Sequence, residues 1–223
     1  MDDVKLIEVK EDILADNRAA AEALRDRLRL EKTFLLNLMA SPGAGKTSLI
    51  ARTADALGDD LRLAVMEADI DSTVDAQILL ERGVHAIQLH TGGLCHLDAA
   101  MVGQGLAELD LAAWDIVILE NVGNLVCPAE FDTGAVKSAA ILSVPEGDDK
   151  PLKYPLMFQT VDTIVVNKTD YLELADFDIP SFRESVLNLN PKATIFEVSC
   201  RTGDGIAQWA DWLRGAVLDW TRG

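Results

Sequence analysis

A mostly parallel β-sheet with helices on both faces is the α/β fold that the sequence predicts, on three observations. Short apolar runs recur along the chain, amphipathic stretches separate most of them, and the runs are continuously apolar instead of alternating. Strands buried on both faces read this way, and intervening helices bring successive strands parallel. The first element is a helix over 12–30, where Ile13, Ala20, Ala21, Leu24 and Leu28 recur at three- to four-residue spacing. It precedes the main fold, so residues 1–32 are expected as an N-terminal helical extension and 33–223 as the principal domain. Six strands follow, at 34–39, 61–67, 84–89, 115–120, 162–168 and 193–199. The last helix carries Ile206, Trp209, Ala210, Leu213, Val217 and Trp220 on one stripe, which places both tryptophans in the core. The stretch 145–155, PEGDDKPLKYP, contains three prolines and reads as the longest irregular loop.

Composition narrows the function. Twenty Lys and Arg against 37 Asp and Glu give a net charge of −17 over 223 residues. Such a chain presents no basic field to a phosphate backbone, so a nucleic-acid partner is not expected. No run of about 18 apolar residues occurs, and the amino-terminal segment has neither a basic nor an apolar targeting region. No membrane association is expected. Cys95, Cys127 and Cys200 cannot all pair with one another, which points to the reducing cytoplasm.

Residues 40–47, ASPGAGKT, follow the first strand and precede a helical stretch. This is the G-x-x-x-x-G-K-[ST] phosphate loop with Ala40 at its first position, so the fold is expected to be a P-loop NTPase. Gly43, Ala44 and Gly45 let successive N–H groups turn inward, and these donors with the next helix N-terminus favour phosphate. Lys46 reaches the terminal phosphates, the Thr47 hydroxyl ligates Mg2+, and Ser48 continues the cradle.

Asn167-Lys168-Thr169-Asp170 closes the strand at 162–167 and matches the guanine signature N-K-x-D. A carboxylate at Asp170 accepts from guanine N1–H and the 2-amino group, paired donors that adenine lacks. GTP and GDP are therefore the expected nucleotides. Ser199, Cys200 and Arg201 fit a loop contacting guanine O6 through backbone N–H. Acidic patches at 67–75 and 120–123 lie beyond strand carboxyl ends, where open parallel sheets bind ligands. Asp69, Asp75 and Glu120 are candidates for Mg2+ coordination and for positioning the attacking water.

Cys95-His96 and Cys127 also follow strand ends. Thiolate with imidazole suits Zn2+ or Ni2+ better than Mg2+. Three ligands leave a four-coordinate ion incomplete. The cysteines can be packing residues, an open site that hands metal on, or a site pooled by two chains.

The segments ASPGAGKTSL, EADIDSTVDA, TGGLCHLDAAMV, ILENVGNLVCPAEFDTGA, EGDDKPLKYPLMF, VVNKTDYL and SCRTGDGIAQWADWL together resemble the HypB family, GTPases that assist nickel insertion into NiFe hydrogenase. The resemblance implies a SIMIBI-class G domain, Mg2+-dependent GTP hydrolysis and a nucleotide-influenced homodimer. It also implies a Zn2+ or Ni2+ site at Cys95, His96 and Cys127. A HypA-type nickel chaperone and the hydrogenase large-subunit precursor are the implied partners. Lys153, with Lys150 secondary to it, is implied near the nucleotide as a base or cross-subunit contact. Residues 1–32 contain no Cys or His, so the amino-terminal nickel motifs of some members are not expected here.

Overall fold

The computed structural model describes residues 9–69 and 74–223, with side chains described from residue 15 to 69 and from 76 onward. The first helix, α1 (Val9–Glu31), leads into β1 (Phe34–Ala40), whose seven residues are all buried. There follow α2 (Lys46–Leu57), β2 (Leu63–Asp69), α3 (Val74–Glu81), β3 (His85–His90), α4 (Ala99–Ala107) and β4 (Ile116–Glu120). The chain continues through α5 (Cys127–Glu130), β5 (Lys137–Ser143), α6 (Lys150–Lys153), α7 (Pro155–Thr160) and β6 (Thr163–Asn167). It ends with α8 (Ile179–Leu189), β7 (Thr194–Glu197) and α9 (Ile206–Arg222).

The strands form one parallel sheet in the order β3-β2-β4-β1-β5-β6-β7, with β1 central. Alternation along β1 assigns the two faces. Leu36 and Leu38 pack with α2 and α9, whereas Leu35 packs with α1 and α4. Further along that second face, Met39 joins α7 and α8. Helices therefore pack on both faces of the sheet, as the sequence predicts.

Two expectations need correction. The strand β5 was not among the six expected. It opens on Lys137 and Ser138 and continues with two alanines, so only Ile141 and Leu142 signal a buried strand. The stretch 145–155 is not one irregular loop. It holds a 3-10 turn at 144–146, all of α6 and the start of α7. The prolines sit in the first turns of these short helices, where the missing N–H costs no intrahelical bond.

Helix α9 anchors the α2 face. Trp209 is 1% exposed, stacks on Trp212 at 5.3 Å between ring centroids, and donates from Nε1 to Thr53 Oγ1 at 2.8 Å. Trp209→Ala is expected to lower the unfolding free energy by about 3–5 kcal/mol, the usual cost of a large buried aromatic. Urea denaturation measures this, and a midpoint equal to wild type would show the stripe to be dispensable.

Candidate functional site

The phosphate loop forms because β1 ends on buried Ala40 and the chain must reverse into α2. Gly45 caps that helix with φ at 102°, a backbone conformation that L side chains rarely adopt. A Cβ on Gly45 would also collide with Asn167 Nδ2. The base loop closes on the phosphate loop at this contact. Asn167 Nδ2 donates to Ala44 O at 3.0 Å and Lys168 Nζ to Gly43 O at 2.8 Å. Asn167 Oδ1 accepts from Lys168 N at 2.7 Å and Cys200 N at 3.2 Å. Lys168 takes a left-handed φ of 61°, uncommon for a residue with a side chain. One buried asparagine thus holds three loops in register.

Two cavities meet along this seam. One, of about 440 Å3, is lined by Gly43, Gly45, Lys46, Thr47, Ser48 and Glu120, among others. The other, of about 370 Å3, is lined by Pro145, Asn167, Asp170, Tyr171, Cys200 and Arg201, with Gly45, Ser48 and Lys168 shared. The residues expected to cradle phosphate line the first, and most of those expected to read the base line the second. In the second, Asp170 Oδ1 accepts from Ser199 Oγ at 2.6 Å, and Oδ2 faces Arg201 Nε at 3.1 Å. In the loop 199–201, expected to contact guanine O6 through backbone N–H, the Cys200 amide donates to Asn167 Oδ1.

At the cradle's edge, Thr47 Oγ1 donates to Glu120 Oε1 at 3.1 Å. Glu120 is 1% exposed and Glu67, its register partner on β2, is 2% exposed. Register partners on parallel strands share a face, so two carboxylates stand side by side at the sheet's carboxyl edge. Glu67 opens the acidic stretch 67–75, of which only Asp69 and Asp75 were expected at the metal. Asp69 ends β2 at the same edge. Asp75 begins its helix with Val74, but its side chain lies outside the described residues, as do residues 70–73. A hydroxyl and a carboxylate are the hard oxygen donors that Mg2+ prefers, so the residues present fit that ion. Lys153 is not brought to either cavity. It is exposed on α6 and pairs with Asp149, whose carboxyl it holds below the usual range.

The cysteine–histidine segments do approach each other. Leu97, 1% exposed, and Asp98, which caps α4 by accepting from Met101 N at 2.8 Å, anchor the turn that presents Cys95 and His96. Asn124 stitches the two connections, accepting from Val126 N at 2.9 Å and donating to Cys95 O at 3.3 Å. A hydrogen bond shared with Cys127, and then burial, raises the Cys95 thiol pKa. His96 Nδ1 lies 3.9 Å from Cys95 Sγ, and its ring stacks on Phe131 at 3.8 Å. Among the described residues, no three His, Cys, Asp or Glu side chains converge as a closed metal site. Asn124 and Phe131 were missed by sequence reasoning, since an asparagine in a loop and an aromatic beyond a short helix carry no motif.

Cys200 is separate from that pair. Burial pushes its thiol up to about 11, only partly offset by Arg52. It is expected to alkylate ~100-fold more slowly than an ordinary free thiol, because the thiolate is the nucleophile. Mass spectrometry of iodoacetamide-treated protein, with glutathione as the free-thiol reference, reads this, and a Cys200 rate equal to that of glutathione is the contrary result.

Comparison with known proteins agrees with this geometry. A family profile described as the CobW/HypB/UreG nucleotide-binding domain matches residues 34–197. The hydrogenase maturation factor HypB of Azotobacter vinelandii is 46% identical over 209 residues, which span 94% of this chain and 69% of that protein. A crystal structure of HypB from Helicobacter pylori in complex with nickel aligns with a TM-score of 0.87 at 36% identity, covering 92% of this chain and 96% of the other. The hydrogenase maturation factor HypB from Archaeoglobus fulgidus aligns with a TM-score of 0.85 at 37% identity, over 92% of this chain and all of that one. The chain belongs to the HypB family of CobW/HypB/UreG nucleotide-binding proteins.

Proposed function

We propose that this protein is a Mg2+-dependent GTPase that carries nickel during maturation of a NiFe hydrogenase. The observation that carries the nucleotide half is Asn167, which joins phosphate loop, base loop and the 199–201 loop through hydrogen bonds to Ala44, Lys168 and Cys200. Lys46 and the amides at Gly43–Gly45 bind the phosphates. Asp170 reads guanine, with Ser199 orienting its carboxylate and Arg201 as the cation that the base displaces. Thr47 and Glu120, with Asp75 and Asp69 from the β2 connection, would hold Mg2+, which supplies charge neutralisation at the phosphates. The same acids orient the attacking water.

Nickel is the cargo, with Zn2+ as the alternative occupant of the same donors, Cys95, His96 and Cys127. The H. pylori relative solved in complex with nickel supports this reading. A pair of thiols with one imidazole is soft enough for either ion. Without a closed set of ligands among the described residues, the site suits transfer or sharing between the subunits of a homodimer. Residues 33–223 form the GTPase unit in this reading, with residues 1–32 as an N-terminal extension and the protein acting in the cytoplasm. A HypA-type chaperone supplies the ion, and the hydrogenase large-subunit precursor receives it.

Nucleotide state reaches the metal through 120–127, which starts at the carboxylate bonded to Thr47 and ends at a thiol. Ni2+ affinity is therefore expected to differ between protein loaded with GDP and with a non-hydrolysable GTP analogue. Metal titration with light scattering measures it. Equal affinities at a fixed oligomeric state would sink the coupling.

A further inference from the structure

A third cavity, of about 430 Å3, lies on the α1 face of the sheet, between α1, the connection 128–138 and strands β1 and β5. Its lining includes Asn37, 2% exposed, at the midpoint of β1. The flanking Leu35 and Met39 belong to two different apolar clusters, so Asn37 sits at the seam between them. A polar group buried there must be satisfied or costs free energy. Asn37 Oδ1 accepts from Asn121 Nδ2 at 3.0 Å, and Asn121 Oδ1 in turn accepts from Val122 N at 2.9 Å. This relay fixes how both amides face. It leaves Asn37 Nδ2 a donor with no partner among the described residues, on a side chain that lines the cavity.

Thr133, 2% exposed, lines the same space with a hydroxyl that has no partner among the described residues. The acceptors nearby are committed. Asp132 accepts from Arg25 and from Gly134 N at 2.9 Å. Asp162 accepts from Lys137 Nζ at 2.8 Å and Ser138 N at 2.9 Å. Arg18 is exposed at the cavity wall with no ion pair among the described residues. The uncommitted capacity is therefore mostly donor, and an acceptor-rich ligand complements it.

We propose that this cavity binds a small oxyanion, a carboxylate or a phosphate, held by Asn37, Thr133 and Arg18. Glu130 also lines the space and supplies the opposing charge. Pro128 and Phe131 form part of the wall, so the anion braces the helix that begins at Cys127 and the ring stacked on His96. The inference stands apart from the nucleotide reading, because none of these residues lines the nucleotide cavities.

The test is calorimetric titration of the Lys46→Ala protein, which weakens competing anion binding in the phosphate loop, with inorganic phosphate and separately with succinate. Saturable binding of one anion per chain is expected, and the anion that binds identifies the source chemistry. Arg18→Ala should weaken it about fivefold at most, as loss of one exposed charge does. Glu130→Gln should strengthen it, and Asn37→Leu should abolish it. Arg18 and Glu130 are exposed, so their variants keep the test decisive if Asn37→Leu does not fold. No saturable heat with either anion, or binding that Arg18→Ala and Glu130→Gln leave unchanged, overturns the proposal.

Discussion

Lys46→Ala is expected to abolish GTP turnover and to weaken GTP and GDP binding ~100-fold or more. The chain carries a net charge of −17, so a polyphosphate approaches it against an adverse field. Lys46 is the first residue of α2 and lines the cradle beside Gly45 and Thr47. Its ammonium adds a full charge where the helix N-terminus offers only a partial one. Truncating one member of a desolvated charge pair typically costs ~2–5 kcal/mol, and about 1.4 kcal/mol is tenfold in affinity. Titration calorimetry with GDP and a phosphate-release assay measure the two effects. The fold should survive, because Lys46 is only partly buried. Retained turnover with an intact fold would remove the phosphate-loop assignment.

Asp170→Asn is expected to weaken GDP binding by a similar factor and to shift preference toward xanthosine diphosphate. The carboxylate is a double acceptor, already oriented by Ser199 at 2.6 Å. An amide replaces one acceptor with a donor, which opposes the guanine 2-amino group and suits the carbonyl that xanthine has there. Mismatched polar groups in a desolvated pocket are penalised far more than a lost contact alone. Competition between the two diphosphates on wild type and variant gives the answer directly. Unchanged GDP affinity would show that Asp170 does not read the base.

Legibility in the sequence depended on whether partners were close in the chain. The loop 40–47 and the N-K-x-D run were readable because each is a pattern of consecutive residues. Helix α1 was readable from its apolar spacing, and Ala21, Leu24 and Leu28 are indeed buried. Strand β5 was hidden because its alanines pack a central strand without looking strongly apolar. Glu67 was readable only as the first member of the acidic stretch 67–75, and its pairing with Glu120 across the register exists only in the folded sheet. Asn124 works on Cys95, 29 residues away, so only the folded chain joins them. Lys153 entered through family resemblance, and within one chain it pairs with Asp149, the residue before α6.

The bond from Asn167 to Ala44 has a kinetic consequence. A glycine-bearing loop left to itself would sample many shapes, and a nucleotide would have to select one of them. Here the main-chain carbonyls of Gly43 and Ala44 are already tied to the far side of the pocket. The ordering entropy is charged to folding and not to encounter. Capture of nucleotide should therefore proceed in a single concentration-dependent phase, without the slow rearrangement that a pliant receptor would add.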